Sequence, residues 1–188
     1  RYLEKKPQRS DVLCVFAGLR PLAAPKHGSD GTKTKEISRS HKLVVSASGL
    51  ITITGGKWTT YRKMAEDTIN AGIKASDLPF RQCQTKNLRI HGYFENPDRN
   101  NRMYIYGSDL DEILNMQKEN PAWAEKLDND ADFTAGEVIW AVRREMARTV
   151  DDVLARRVRV LYLDARKSIG MAPRVAEIMA EELGKDKN

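Results

Sequence analysis

Leu50-Ile51-Thr52-Ile53-Thr54-Gly55-Gly56-Lys57-Trp58-Thr59-Thr60-Tyr61-Arg62-Lys63-Met64-Ala65-Glu66 is the stretch on which the fold turns. Its first five residues alternate and are rich in β-branched side chains, the pattern of a strand. Two glycines follow. Then Met64, Ala65, Thr68, Ile69 and Gly72 fall at helical spacing. The order is strand, glycine turn, helix N-terminus, with Thr59 or Thr60 placed to act as N-cap. Glycine lets backbone approach a ligand closely, and a helix start offers unpaired N–H groups and a positive dipole end to an anion. Lys57 adds a full charge there. The turn is not a P-loop, which needs GxxxxGK followed by Ser or Thr. No glycine stands at the required distance before Gly56, and Trp58 occupies the hydroxyl position. A GxGxxG dinucleotide fingerprint is absent from the whole chain.

Upstream, Asp11 to Gly18 is an apolar run that reads as a buried strand, ended by Arg20-Pro21. Ala23 to Glu36 has loop composition, and Ser38 to Val45 is a polar segment entering a strand. Arg20 at a strand end and Arg39 at a loop-to-strand junction are candidate phosphate ligands, because guanidinium grips phosphate in bidentate fashion. Downstream, Leu78 to Asn101 carries two prolines and reads as a linker. Helices follow. One covers Ser108 to Lys118. Thr134-Ala135-Gly136-Glu137 is a capping box before an apolar face of Val138, Ile139, Val142 and Met146. Another helix starts at Thr149 to Asp152 and runs through Leu161. Asp164 caps a last one, which Pro173 should kink or split.

The chain has 188 residues, enough for a core without staples. Its net charge of +6 divides unevenly. Residues 1–90 hold 17 Lys and Arg against 7 Asp and Glu, a net +10; residues 91–188 hold 15 against 19, a net −4. The basic half calls for an anionic partner. Two cysteines, Cys14 and Cys83, exclude a disulfide framework and a cysteine zinc site. The histidines, His27, His41 and His91, lack metal-ligand spacing; His41, close to Arg39, is a further candidate for the site. Trp58, Trp123 and Trp140 read as packing residues. Arg143, Arg144, Arg148, Arg156, Arg157 and Arg159 interleave with acids, so ion pairs are expected rather than nucleic-acid contacts. No stretch reaches the roughly 20 apolar residues of a membrane span.

Three blocks, Ala17-Gly18-Leu19-Arg20-Pro21-Leu22, Ser38-Arg39-Ser40-His41 and Gly55 through Glu66, together with Glu137 to Ala165, closely resemble FAD-dependent glycerol-3-phosphate dehydrogenase. The resemblance covers nearly the whole chain. It implies oxidation of sn-glycerol 3-phosphate to dihydroxyacetone phosphate, with hydride passing from C2 to flavin N5 and then electrons to a quinone or to oxygen. It implies that Arg20 and Arg39 bind the substrate phosphate, Arg20 and Lys57 serve catalysis, and Gly55, Gly56, Lys57, Trp58, Thr59 and Thr60 approach the flavin. The two cysteines fit a reducing cytoplasm, the basic excess leaves peripheral membrane association open, a homo-oligomer is left open, and no nucleic-acid partner is expected.

The expected fold class is α+β: a β-rich piece of the FAD and substrate core (1–80), a linker (81–101) and an all-α bundle (102–188). The chain begins with Arg1, not Met, and lacks the fingerprint that holds the ADP half of FAD. It therefore reads as the C-terminal part of a longer enzyme, inactive alone and not retaining FAD. The rival reading is a non-catalytic helical module whose basic half contacts nucleic acid or anionic lipid.

Overall fold

The computed structural model describes residues 4–19 and 40–185. Arg20 and Arg39, and the 21–38 stretch between them, lie outside the described residues. The chain divides into two compact units, Gly18–Ile90 and the pair of segments Arg1–Ala17 and His91–Asn188.

In the first unit, β1 (His41–Val45) pairs antiparallel with β2 (Ile51–Gly55), His41 opposite Gly55 and Val45 opposite Ile51. The hairpin closes on Ser46, whose N–H donates to Leu50 O at 2.9 Å while its hydroxyl accepts from Leu50 N at 3.0 Å. Residues 41, 43, 51 and 53 are half-buried, whereas Val44 and Thr52, partners in the ladder, are exposed. Burial follows the period-2 alternation only in part, because Lys42 and Thr54 on the Val44 face are half-buried as well and Val45 on the other face is exposed. A 3-10 turn, Trp58–Thr60, leads into α1 (Tyr61–Ala75), which packs against both strands. Gly72 of α1 faces Ile51 of β2, where a Cβ would lie in van der Waals contact at 3.4 Å from Ile51 Cδ1. None of β1, β2 or α1 contains a fully buried residue.

The second unit holds the core. α2 (Leu110–Glu119) precedes a two-stranded ribbon, β3 (Lys126–Asp128) and β4 (Ala131–Thr134). α3 (Ala135–Arg144) is buried from Ala135 through Val142. A π-helical segment, Asp152–Arg157, leads to the short α4 (Val160–Leu163) and then to α5 (Ala165–Leu183). Val138, Val153, Val160, Met171 and Val175 are at most 2% exposed and form the centre of this core. The capping box at Thr134 forms, with Thr134 N–H donating to Glu137 Oε2 at 2.9 Å. Glu137 is 0% exposed. It also accepts from Arg102 Nη1 (2.8 Å) and Nη2 (2.7 Å) and from the Tyr106 hydroxyl (2.8 Å). Burial drives the Tyr106 phenol well above its ordinary range, with the Glu137 charge adding to the effect. A buried carboxylate is tolerable only with such a complete set of donors.

The α+β class stands, but several local expectations change. Asp11–Gly18 is not a paired strand. After a 3-10 turn at Arg9–Asp11 the segment runs without a ladder, Leu13 O accepting from Ala165 N at 3.0 Å and the Phe16 ring meeting Tyr162 edge-on at 5.2 Å. An apolar run becomes a sheet strand only where a neighbouring strand is present to pair with it. The C-terminal part is not purely helical, because β3 and β4 form a ribbon in it. The helix expected from Thr149 through Leu161 starts as predicted, with Asp152 Oδ2 accepting from Arg148 N and Thr149 N, both at 3.0 Å. It then breaks at Arg159, which is left-handed at φ 62°. Asp164 caps α5 by accepting from Arg166 N and Lys167 N, each at 3.1 Å. Pro173 does not split that helix. It lies on the exposed side, where the carbonyl it leaves without a donor faces solvent.

Candidate functional site

Strand β2 ends at Gly55 with φ 76°, and Gly56 follows at φ 78°. Two consecutive left-handed residues turn the chain from strand to helix within two positions, which favours glycine at both. At Gly56 space forbids a side chain as well. A Cβ there would lie 2.7 Å from Met64 Sδ and 3.2 Å from His41 Cβ. The turn therefore rests on one side chain from α1 and one from β1.

Lys57 follows in extended conformation and is exposed. Among the described residues it has no ion-pair partner. Thr60, expected as an N-cap, occupies that position for α1 without a side-chain cap bond to the helix. Its hydroxyl instead donates to Lys57 O at 2.9 Å and accepts from Lys57 N at 3.3 Å. The hydroxyl thus braces the turn from its C-terminal side. Among the described residues the Trp58 and Thr59 N–H groups have no acceptor, as is usual for the first amides of a helix. Trp58 departs from the packing role expected of it. It is 87% exposed, its indole stacked on the Tyr61 ring with centroids 5.8 Å apart. Trp140 is buried and Trp123 half-buried, as expected.

Behind the turn, His41 Nε2 lies 2.9 Å from Asp67 Oδ2. Lys63 Nζ reaches the other oxygen of Asp67 at 2.8 Å. Lys63 and then His41 hold the Asp67 carboxyl below its ordinary value. Arg62 is turned away from this group. It donates to Glu66 at 2.7 Å and to the Thr85 hydroxyl at 3.3 Å. The Cys83 thiol, 3.0 Å from Thr85 Oγ1, is drawn below its usual value by that residue.

Of the three cations singled out from sequence, Lys57 sits at the helix start as anticipated, while Arg20 and Arg39 fall outside the described residues. Sequence reasoning missed the Asp67 tether to His41, since no spacing rule links two positions 26 residues apart. Four of the six arginines singled out in the second unit pair with acids as expected among the described residues. Arg143 grips Glu182 at 2.6 and 2.8 Å, Arg144 donates to Glu112 at 2.8 Å, and Arg156 pairs with Asp151. Arg148 and Arg157 were expected to meet acids. Arg148 instead donates to the carbonyls of Val142 (3.1 Å) and Ala147 (2.9 Å). Arg157 adds to its ion pair with Glu145 a bond to that residue's carbonyl at 3.0 Å.

Fold and site together define an α+β protein with an exposed strand-to-helix turn that carries a lysine and two amides without acceptors among the described residues. Residues 51–188 match the family described as the C-terminal domain of alpha-glycerophosphate oxidase, and the chain belongs to that family. Its relatives are oxidoreductases. The mitochondrial glycerol-3-phosphate dehydrogenase of Bos taurus is 35% identical over 202 residues, covering 95% of this chain and 27% of that protein. The mitochondrial enzyme of Arabidopsis thaliana is 32% identical, covering 100% of this chain and 34% of the relative. That of Schizosaccharomyces pombe is 34% identical, covering 99% and 36%. The chain thus spans about a third of the length of these relatives. Among the described residues no helix is long and apolar enough to cross a membrane.

Proposed function

We propose that the chain is the C-terminal part of a flavin-dependent glycerol-3-phosphate dehydrogenase that oxidises sn-glycerol 3-phosphate to dihydroxyacetone phosphate. The observation that carries the reading is the Gly55–Thr60 turn, where left-handed glycines, an exposed lysine and two free amides coincide at a helix start. These residues fit the pyrimidine end of a flavin, where reduction leaves negative charge. Bound FAD supplies the two-electron acceptor for the C2 hydride. Lys57 and the Trp58 and Thr59 amides supply fixed positive potential beside it, which costs no reorganisation during reaction. Gly55 and Gly56 let backbone come close, and Thr60 holds the turn in shape. Arg20 and Arg39 bind the substrate phosphate and so orient C2.

Residues 1–80 then belong to the flavin and substrate core, 81–101 connect, and 102–188 form the helical domain. The ADP half of FAD needs a fingerprint that this chain lacks, so the chain alone retains little flavin and does not turn over. A quinone or oxygen would serve as the final electron acceptor. The setting is cytoplasmic, with the net +10 of residues 1–90 suited to a peripheral place on the anionic inner face of the cell membrane.

The test uses the full-length enzyme. It should purify yellow, and Lys57→Ala should lower kcat by about 10²-fold, the scale of losing one preorganised charge partner. Arg20→Ala should raise KM for glycerol 3-phosphate. Unchanged kcat in Lys57→Ala would sink the reading. The rival, a non-catalytic helical module whose basic half contacts nucleic acid or anionic lipid, predicts salt-dependent binding of a duplex or of anionic vesicles by this chain.

A further inference from the structure

The hydrogen bond between His41 and Asp67 joins two elements across the glycine turn. His41 is the first residue of β1 and stands opposite Gly55, the last residue of β2. Its Cβ lies 3.2 Å from the place a Gly56 Cβ would take, so the residue backs the turn directly. Its ring then reaches α1, where Nε2 meets Asp67 Oδ2 at 2.9 Å. Met64, the other support of the turn, lies three residues before Asp67 on the same helix. Lys63 Nζ fixes the second oxygen of Asp67 at 2.8 Å and also approaches Glu66 at 3.6 Å. The His41 and Asp67 side chains are 24% and 31% exposed, so water competes for this bond only in part.

We propose that His41 is a positioning residue: tied to α1 through Asp67, it sets where the Gly55–Gly56 turn presents Lys57 and the free Trp58 and Thr59 amides. This rests on the flavin reading given above. The physical need is plain. The turn is the only covalent link between β2 and α1, and its two glycines carry no side chains to hold it. Two left-handed glycines fold readily into other turns. A cross-link from β1 to α1 behind them removes that freedom. A displacement of about 1 Å at a reacting centre can cost about 10²-fold in rate, so the tie affects chemistry without touching ligand.

The experiment compares full-length holoenzymes carrying His41→Ala, His41→Gln, Asp67→Asn and Lys57→Ala with the parent. FAD affinity of the apoprotein is read by titration, the flavin environment by its visible spectrum, and folding by Tm. Gln places an amide nitrogen where Nε2 stands and can still donate to Asp67. We expect His41→Ala to weaken FAD binding about 10-fold, the worth of one part-buried hydrogen bond to a charged group. His41→Gln should recover affinity to within about 3-fold and restore the spectrum. Equal affinity and spectrum in all His41 and Asp67 variants overturns the proposal, as does a His41→Ala protein that loses Tm alone. If His41→Ala does not fold, His41→Gln near the parent with a weakened Asp67→Asn supports the tie, and the reverse overturns it. Lys57→Ala separates the two levels. If it changes neither spectrum nor turnover, the flavin reading fails; if it changes them while the His41 variants do not, only the positioning role fails.

Discussion

A methyl group at Gly56 would strike Met64 Sδ at 2.7 Å on a backbone already left-handed at φ 78°. Gly49, also left-handed at φ 83°, would meet nothing within 4 Å. The two positions therefore separate backbone strain from contact. Gly49→Ala should cost about 1 kcal/mol, the left-handed penalty alone. Gly56→Ala should cost about 1–3 kcal/mol, because Met64 and His41 must also move. Urea unfolding of the two variants checks the difference. A second residue-scale prediction concerns Glu137. It is fully buried and bonded to Arg102, Tyr106 and Thr134. Glu137→Ala strips the buried Tyr106 hydroxyl and the part-exposed Arg102 of their shared acceptor and should cost about 2–4 kcal/mol. That is a large share of an ordinary domain's stability, and denaturant midpoints should show it.

Helix ends and breaks carry the next level. Asp164→Ala removes the acceptor for Arg166 N and Lys167 N and should destabilise by about 1 kcal/mol in the same assay. Asp152 makes the start of the π segment sensitive to pH. The Arg148 N–H first, then Thr149, hold its carboxyl below the ordinary value. A depressed folded pKa means that its stabilisation is complete above about pH 4 and is lost as pH falls through the lower folded value. Asp152→Asn should flatten that part of the acid limb in a series of thermal melts.

These elements also show how much the sequence disclosed. The hairpin, the glycine turn and the caps at Thr134 and Asp164 were legible, because period-2 alternation, paired glycines and acidic or hydroxyl caps are local signals. The break at Arg159 was not, since a left-handed arginine has no local signature. Nor were the partners of Glu137, which lie 31 and 35 residues away. The site was half legible. Lys57 and its turn lie together in sequence, whereas the support from Asp67 exists only once α1 folds back on β1.

At the scale of the molecule the charge division and the burial division coincide. The acidic half directs Arg102, Arg143, Arg144, Arg148, Arg156 and Arg157 to internal partners and encloses α3 on nearly all sides. The basic half keeps Lys57 free among the described residues and contains no fully buried position in β1, β2 or α1. A two-stranded hairpin with one helix has little apolar burial with which to offset its conformational entropy. Its opening needs less free energy than opening α3. Deuterium uptake by this chain should rank accordingly: amides of β1, β2 and α1 exchange through local opening, while those of Val138 to Val142 exchange only when the whole helical core comes apart. The half that carries the candidate site would then be the first to meet a protease, with the core of α3 and α5 left intact behind it.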